Sequence, residues 1–322
     1  ADTGTTLWEY AYTSLLWKEF SKQYGPGPHA TPLIVGGYIY AIGFRTELTC
    51  LDKNSGQKVW SHNLWDEYNA KPGDRGYASS PMAYKDLLIV LAGGKGHGVM
   101  AFNLEDGQLI WQGQDFINSY SSPIIINVDG QDQLIVFVEK KVAALDPNTG
   151  DLLWKHAHNT QYQIHASTPI WGKDNILFIS SAYDAGSRAL HLSLQNGKTV
   201  VEELWYNKKV RIQHGSAVRV GETIYASSGH GPAFLTAVAV KTGEITTQQR
   251  GFGKANLMMA GNQMIILDEA GQLAIINANP NGFEVLVQAQ VLTSRSWTVP
   301  TLAGTKLYLR DMKEILALDL SP

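Results

Sequence analysis

Residues 145–154, Leu145-Asp146-Pro147-Asn148-Thr149-Gly150-Asp151-Leu152-Leu153-Trp154, read as the junction of two antiparallel strands. An apolar strand ends in Leu-Asp, the Asp side chain folds back onto nearby backbone N–H groups, and Gly takes the positive-φ place in the turn. The outgoing strand then carries Trp154 four residues past the glycine, a fixed place from which an indole can cover the gap to a neighbouring sheet. The same unit recurs as Asp2-Thr3-Gly4 with Trp8, as Leu51-Asp52-Lys53-Asn54-Ser55-Gly56 with Trp60, and as Asn103-Leu104-Glu105-Asp106-Gly107 with Trp111. Looser copies turn at Gly197, Gly243 and Gly282, where Val201, Thr247 and Leu286 stand at the tryptophan position and Trp205 comes four residues late.

These turn glycines follow one another at roughly 40 to 50 residues, the period of propeller blades. Two more strands precede each turn. They read as 32–35 and 38–42 about Gly36-Gly37, as 123–126 and 134–138, and as 217–220 and 223–226. Each repeat is therefore four short antiparallel strands, and the whole chain, residues 1–322, is expected to be a single all-β domain: a seven-bladed β-propeller. The last strand, 314–320, lacks a turn, and the first residues, 1–8, supply a turn and an outgoing strand without a preceding one. Pairing of these N- and C-terminal strands in one blade would close the ring and remove exposed sheet edges. The alternative is a truncated eight-bladed ring, since the chain does not begin with Met.

Composition narrows the function classes. The chain is 44% hydrophobic and 17% charged, an ordinary core-forming balance. With 26 basic and 29 acidic residues and no basic run, it carries no electrostatic footprint for nucleic acid. No apolar stretch approaches the roughly 18 residues of a membrane helix. The single cysteine, Cys50, sits in an apolar run and reads as a small buried hydrophobe. A monomer is expected.

The pattern Leu-Asp-x-x-Thr-Gly-x-x-x-Trp resembles the pyrroloquinoline-quinone (PQQ) repeat when taken with its Ser-Ser-Pro or Thr-Pro openings at Ala30-Thr31-Pro32, Ser79-Ser80-Pro81, Ser121-Ser122-Pro123, Ser167-Thr168-Pro169 and Thr298-Val299-Pro300. That repeat builds quinoprotein alcohol dehydrogenases and the BamB-like propellers, and the chain is most similar to the latter. The resemblance implies export, hence a periplasmic or secreted protein, and a non-catalytic binding or scaffold role. It also implies an alternative, a PQQ-dependent dehydrogenase of alcohols or sugars with calcium. The dehydrogenases' adjacent cysteine pair has no counterpart in a chain with one cysteine, so no cofactor is expected.

Residues just before each blade opening are expected to line one mouth of a propeller channel. Blade by blade these are His29, Tyr77, Tyr120, His165, His214, Lys254 with Asn256, and Trp297, with Arg75, Asn118, Gln163, Arg211, Gln213 and Arg295 slightly further out. Aromatic faces and guanidinium forks suit a protein partner, a glycan or a small anionic or polyhydroxylated ligand. The alternative is that they fill the mouth and satisfy loop backbone. The histidines carry no metal-ligand spacing and are read as structural, so no metal is expected. Gly93–Gly98 and 228–232 read as glycine-rich loops without phosphate-loop spacing. Asp52, Asp146 and Asp319 recur in phase with the turn, which marks them as caps rather than catalytic acids.

Overall fold

The computed structural model describes residues 3–25, 27–229 and 231–321. His230, expected in a glycine-rich loop, lies outside the described residues, as do Ala1, Asp2, Pro26 and Pro322. The chain forms consecutive antiparallel meanders, each sheet following chain order. Blade 1 is β1 (Leu33–Val35), β2 (Tyr38–Ile42), β3 (Glu47–Asp52) and β4 (Lys58–Asn63), followed by a short helix α1 (Leu64–Tyr68). Blade 2 is β5 (Met82–Tyr84), β6 (Leu87–Val90), β7 (Val99–Asn103) and β8 (Leu109–Gly113). Blade 3 is β9 (Ile124–Val128), β10 (Gln131–Val138), β11 (Lys141–Leu145) and β12 (Leu152–Ala157). These blades and the N-terminal segment make one compact unit, Ala1–Ala157.

The second unit, His158–Pro322, holds the other blades. Blade 4 is β13 (Ile170–Trp171), β14 (Ile176–Ser181), β15 (Gly186–Gln195) and β16 (Lys198–Asn207). Blade 5 is β17 (Val218–Val220), β18 (Thr223–Ser228), β19 (Phe234–Ala239) and β20 (Ile245–Gln249). Blade 6 is β21 (Ala255–Ala260), β22 (Gln263–Asp268), β23 (Gln272–Asn279) and β24 (Gly282–Gln290). Blade 7 is β25 (Thr301–Ala303), β26 (Lys306–Arg310) and β27 (Ile315–Asp319). The fold class is the one the repeat predicts, a β-propeller of seven blades. Of residues 1–8, expected to supply a turn and a fourth strand beside β27, those that are described, 3–8, carry no ladder, and the seventh sheet has three strands among the described residues.

The turn chemistry is as the sequence reads it. Asp52 Oδ1 accepts the Asn54 and Ser55 N–H groups, Asp146 Oδ1 that of Asn148, and Asp319 Oδ1 that of Ser321. The Ser55 backbone bond is the main reason the Asp52 carboxyl is held below its ordinary range, and the Ser321 bond does the same at Asp319.

The tryptophans do what the repeat requires, by one repeated geometry. Trp8 donates its indole N–H to Lys53 O (3.0 Å), Trp60 to Leu104 O (3.1 Å), Trp111 to Pro147 O (3.2 Å) and Trp205 to Val240 O (2.6 Å). In every case the acceptor lies three residues before a turn glycine, and the indole ring rests on that glycine: Gly56, Gly107, Gly150 and Gly243. A Cβ at Gly107 would lie 2.6 Å from Trp60, and one at Gly150 would lie 2.5 Å from Trp111. A second donor, His62 Nε2 or Asn207 Nδ2, reaches the same glycine's carbonyl at 2.8 and 2.7 Å.

What fixes the tryptophan is register, not distance from the turn. Each pairing of third with fourth strand in blades 1 to 6 carries a bulge at one place, and the residue beside it opposes Cys50, Ala101, Ala144, Ala189, Ala237 or Ile275. Trp60, Trp111, Trp154 and Trp205 all occupy this position, so Trp205 is in phase: the longer β15–β16 hairpin adds residues before the bulge. Thr247 and Val287 hold the position in blades 5 and 6, which corrects the expected equivalence of Val201 and Leu286. Thr246 and Thr247 keep the polar half of the contact, both hydroxyls donating to Pro280 O (2.5 and 3.0 Å). Trp154 departs from the pattern by donating to Gln133 Oε1 in its own blade (2.7 Å). The small residue opposite each Trp also accounts for Cys50, fully buried under Trp60, where burial pushes its thiol up to about 11.

Trp60→Ala is expected to cost about 3–5 kcal/mol, as for other buried large aromatics. Gly107→Ala destabilises twice over, through positive φ (+74°) and through collision with that indole. In a double-mutant cycle read by denaturant unfolding, Gly107→Ala should cost clearly less on the Trp60→Ala background; equal costs on both backgrounds would refute the contact.

Candidate ligand-binding site

The loops leading into the blades are tied to one another by the Ser-Ser-Pro openings. In the first unit the Thr31 N–H donates to Ser80 Oγ (3.0 Å) and the Ser80 N–H to Ser122 Oγ (3.0 Å). In the second, Asn256 takes over this role. Its Oδ1 accepts the Ser216 N–H (3.3 Å) and its Nδ2 donates to Trp297 O (3.0 Å). The motif thus fixes the height of each loop and of the side chains that precede it.

In the first unit, Arg75 and Tyr120 come together. The Tyr120 hydroxyl has its pKa raised, by burial first and by the Asp74 charge second, with Arg75 opposing the rise. His29 is exposed, on the loop that opens blade 1. Tyr77 corrects the expectation. It is 2% exposed and belongs to the apolar core with Tyr40, Leu88 and Phe102. Its hydroxyl faces the Leu91 backbone without a well-formed hydrogen bond. An aromatic one residue past Gly76 is drawn into the nearest apolar gap, and sequence position cannot distinguish that from a mouth position.

In the second unit the expected residues fall into three places. His165 is fully buried, its Nδ1 2.6 Å from Ser181 Oγ and its ring edge-on to His158 (5.5 Å). It is a core histidine and lines no opening. Arg211 pairs with Asp184 (3.3 Å), while Gln213 donates to the Tyr183 hydroxyl (3.0 Å), whose ring meets Tyr162 edge-on at 5.3 Å. Tyr183 and Asp184 are both at positive φ (55° and 65°) in the β14–β15 turn, uncommon for an aromatic residue. Sequence reading missed this pair because the turn lacks the usual Asn-Gly signal.

His214, Lys254, Arg295 and Trp297 converge. The His214 ring packs on the Trp297 indole (4.4 Å, 38°), and the Arg295 guanidinium lies over the same indole at 4.7 Å. Glu269, from the β22–β23 turn, organises the group and was not expected. It accepts the Trp297 indole N–H (3.1 Å) and stands 3.9 Å from Lys254 Nζ, and its own N–H donates to Lys254 O (2.7 Å). The signal for it was present: Glu269 is an acid adjacent to Asp268, a turn cap, and capping needs only one of the two. Asp268 caps with Oδ1 on Ala270 and Gln272, which frees the neighbouring carboxylate to face the indole.

His214 is the electrostatic centre of this group. Both ring nitrogens are buried without a hydrogen-bond partner, and its pKa falls to about 4, chiefly through desolvation, then through Lys254, with Arg295 adding to the effect and Glu269 opposing it. Among the described residues no three His, Cys, Asp or Glu side chains come close enough to share a metal ion.

Folding therefore keeps His214 neutral down to about pH 4, whereas the unfolded chain protonates it near 6.5. Its contribution to stability is complete above pH 6.5 and is lost as pH falls toward 4, by on the order of 3 kcal/mol. Denaturant unfolding at pH 7 and pH 4.5 should show a larger acid loss for the parent chain than for His214→Asn. Identical losses would place the ring in solvent.

A sequence model of the family described as outer membrane protein assembly factor BamB matches residues 1–249. Among curated proteins, the outer membrane protein assembly factor BamB of Shewanella oneidensis is 22% identical over 306 residues, covering 89% of this chain and 72% of that protein. An uncharacterized protein of Rickettsia prowazekii is 23% identical, covering 86% of this chain and 66% of that protein. Of solved structures, BamB from Moraxella catarrhalis matches with a TM-score of 0.64 at 17% identity, over 88% of this chain and 81% of the other. A quinohemoprotein alcohol dehydrogenase from Comamonas testosteroni matches at 0.60 and 12%, over 96% of this chain and 66% of the other. At these identities both structural likenesses are of fold alone. The family match, spanning most of the chain, goes further: this protein belongs to the family of the outer membrane protein assembly factor BamB.

Proposed function

We propose that this chain is a non-catalytic binding propeller that engages a protein partner in outer-membrane protein assembly through the loops leading into blades 5 to 7, and that it works in the periplasm or outside the cell. The family supports the process, and the group around Trp297 carries the site. A Trp flanked by Arg, His and Lys on loops held by backbone-level hydrogen bonds is the residue chemistry of an interface hot spot. Arg211, braced by Asp184, and Tyr162 offer a second anchor of the same kind in the same unit.

Two observations count against a quinone cofactor. The indole of Trp297 is already covered by His214 and Arg295, and among the described residues no three His, Cys, Asp or Glu side chains gather as metal ligands would. Base catalysis by His165 or His214 has as little support: the first is buried against Ser181, and the second has both nitrogens covered.

A photo-crosslinking residue at position 295, expressed in the source cell, should trap a partner whose complex can be rebuilt from the two purified proteins. Trp297→Ala and Arg211→Ala should each weaken that complex tenfold or more, with a distant change such as Lys198→Ala silent. Undiminished binding by both variants would refute the site. Alcohol or sugar oxidation on addition of PQQ and Ca²⁺ to the purified chain would refute the non-catalytic role.

A further inference from the structure

In blades 1 to 6 the fourth strand is the outer edge of its sheet, paired on one side only. Such an edge offers a row of unpaired backbone N–H and C=O groups, and proteins blunt it with short strands or with charge, lysine above all. Five of these six edges follow that rule. β8 and β20 are five residues long, and β4, β12 and β16 carry Lys58, Lys155 and Lys198. β24 does neither. It runs for nine residues and holds no Lys, Arg or Pro. Its one charged residue, Glu284, stands near its start and accepts the Asn277 side-chain amide (3.0 Å). In the other five outer strands no more than two exposed residues follow one another. In β24 every residue from Glu284 to Gln290 is exposed, and Val285, Leu286 and Val287 keep 37, 44 and 54% of their surface in solvent. On the side away from β23, no backbone group of residues 284–289 has a hydrogen-bond partner among the described residues.

We propose that β24 is a pairing edge, on which a second copy of this chain lays its own β24, antiparallel about a two-fold axis through Val287. The sequence leads to the expectation of a monomer; the exposed edge points the other way. Pairing extends blade 6 into one sheet across both copies and satisfies both rows of backbone groups. The strand's own sequence selects the occupant. About Val287, Glu284 faces Gln290 across the axis, Val285 faces Ala289 and Leu286 faces Gln288. No like charges meet, and the aliphatic side chains lie against valine, alanine and the stem of a glutamine. The interface is isologous, so each of these contacts is made twice. Val287 alone meets itself, so a charge placed there faces a like charge directly opposite. A single strand pair is a small interface, which places this one among weak associations. The surface is separate from the loop group around Trp297 and does not depend on the role proposed for it.

The test is sedimentation equilibrium of the purified full chain from micromolar to several hundred micromolar. A reversible monomer–dimer equilibrium is the expected result. Val287→Lys and Val287→Glu, both at an exposed position, should each weaken the dimer at least about tenfold. An equimolar mixture of the two variants should associate more tightly than either alone, because Lys then faces Glu across the axis. Amide hydrogen exchange gives a second readout: residues 284–290 should exchange more slowly as the parent chain is concentrated, and at a constant rate in Val287→Lys. A monomer at every concentration, a dimer indifferent to both variants, a mixture no tighter than either variant alone, or exchange at 284–290 that ignores concentration in the parent chain overturns the proposal.

Discussion

An indole N–H donated to a carbonyl three residues ahead of a turn glycine, with the ring laid flat on that glycine, is the contact on which this molecule is organised. It joins two requirements that a blade cannot meet alone. The apolar ring needs a surface to cover, and a glycine at positive φ offers bare backbone where any Cβ would intrude. The turn carbonyl needs a donor, since it lies outside the strand ladder and beneath a buried ring. One side chain answers both, so the outer strands of blades 1, 2 and 4 are each tied to the next blade's turn as well as to their own sheet. Where tryptophan is replaced by Thr246 and Thr247, the hydrogen bond to Pro280 survives and the aromatic cover does not. At Val287, 54% of the side chain's residue surface is exposed and the position is purely apolar; there the packing of blade 6 on blade 7 depends on the inner cluster of Ile265, Leu267, Leu307 and Leu309.

The same economy operates at the inner ends of the blades. Ser80, Ser122 and Asn256 each satisfy a backbone group of a neighbouring loop, so the loops are spaced by hydrogen bonds of fixed length. That spacing lets side chains separated by more than eighty residues, from His214 to Trp297, stack at 4.4 Å. The residues proposed to bind lie on loops, and these hydrogen bonds between loops are the kind of preorganisation that a recognition site needs.

Electrostatics and packing divide the candidate residues into those enclosed in the fold and those that stay partly exposed. His165 is hydrogen-bonded and enclosed, Tyr77 is enclosed in the core, and both contribute by filling space. The Trp297 group keeps an exposed guanidinium, and an ammonium that faces a carboxylate shared with the indole. Burying a neutral imidazole beside two cations is tolerable because the ring need not ionise at neutral pH. The cost appears only in acid.

The repeat of Leu-Asp, glycine and tryptophan determined, without any coordinates, that the chain is an all-β propeller, where its blades divide and which acids cap turns, because those features depend on residues a few positions apart and on the φ preferences of glycine. It also brought His214, Lys254, Arg295 and Trp297 into one set, since repeats place equivalent residues at equivalent heights. Tertiary structure alone decided the rest. Register at the bulges moved Trp205 into phase, because a hairpin can lengthen without altering the pairing beyond it. Packing sent Tyr77 and His165 inward, because the direction of a side chain at a loop depends on which neighbouring blade has a gap to fill. Glu269 and the Tyr183–Asp184 turn joined the candidate residues through contacts between blades, which no periodicity within one blade can encode.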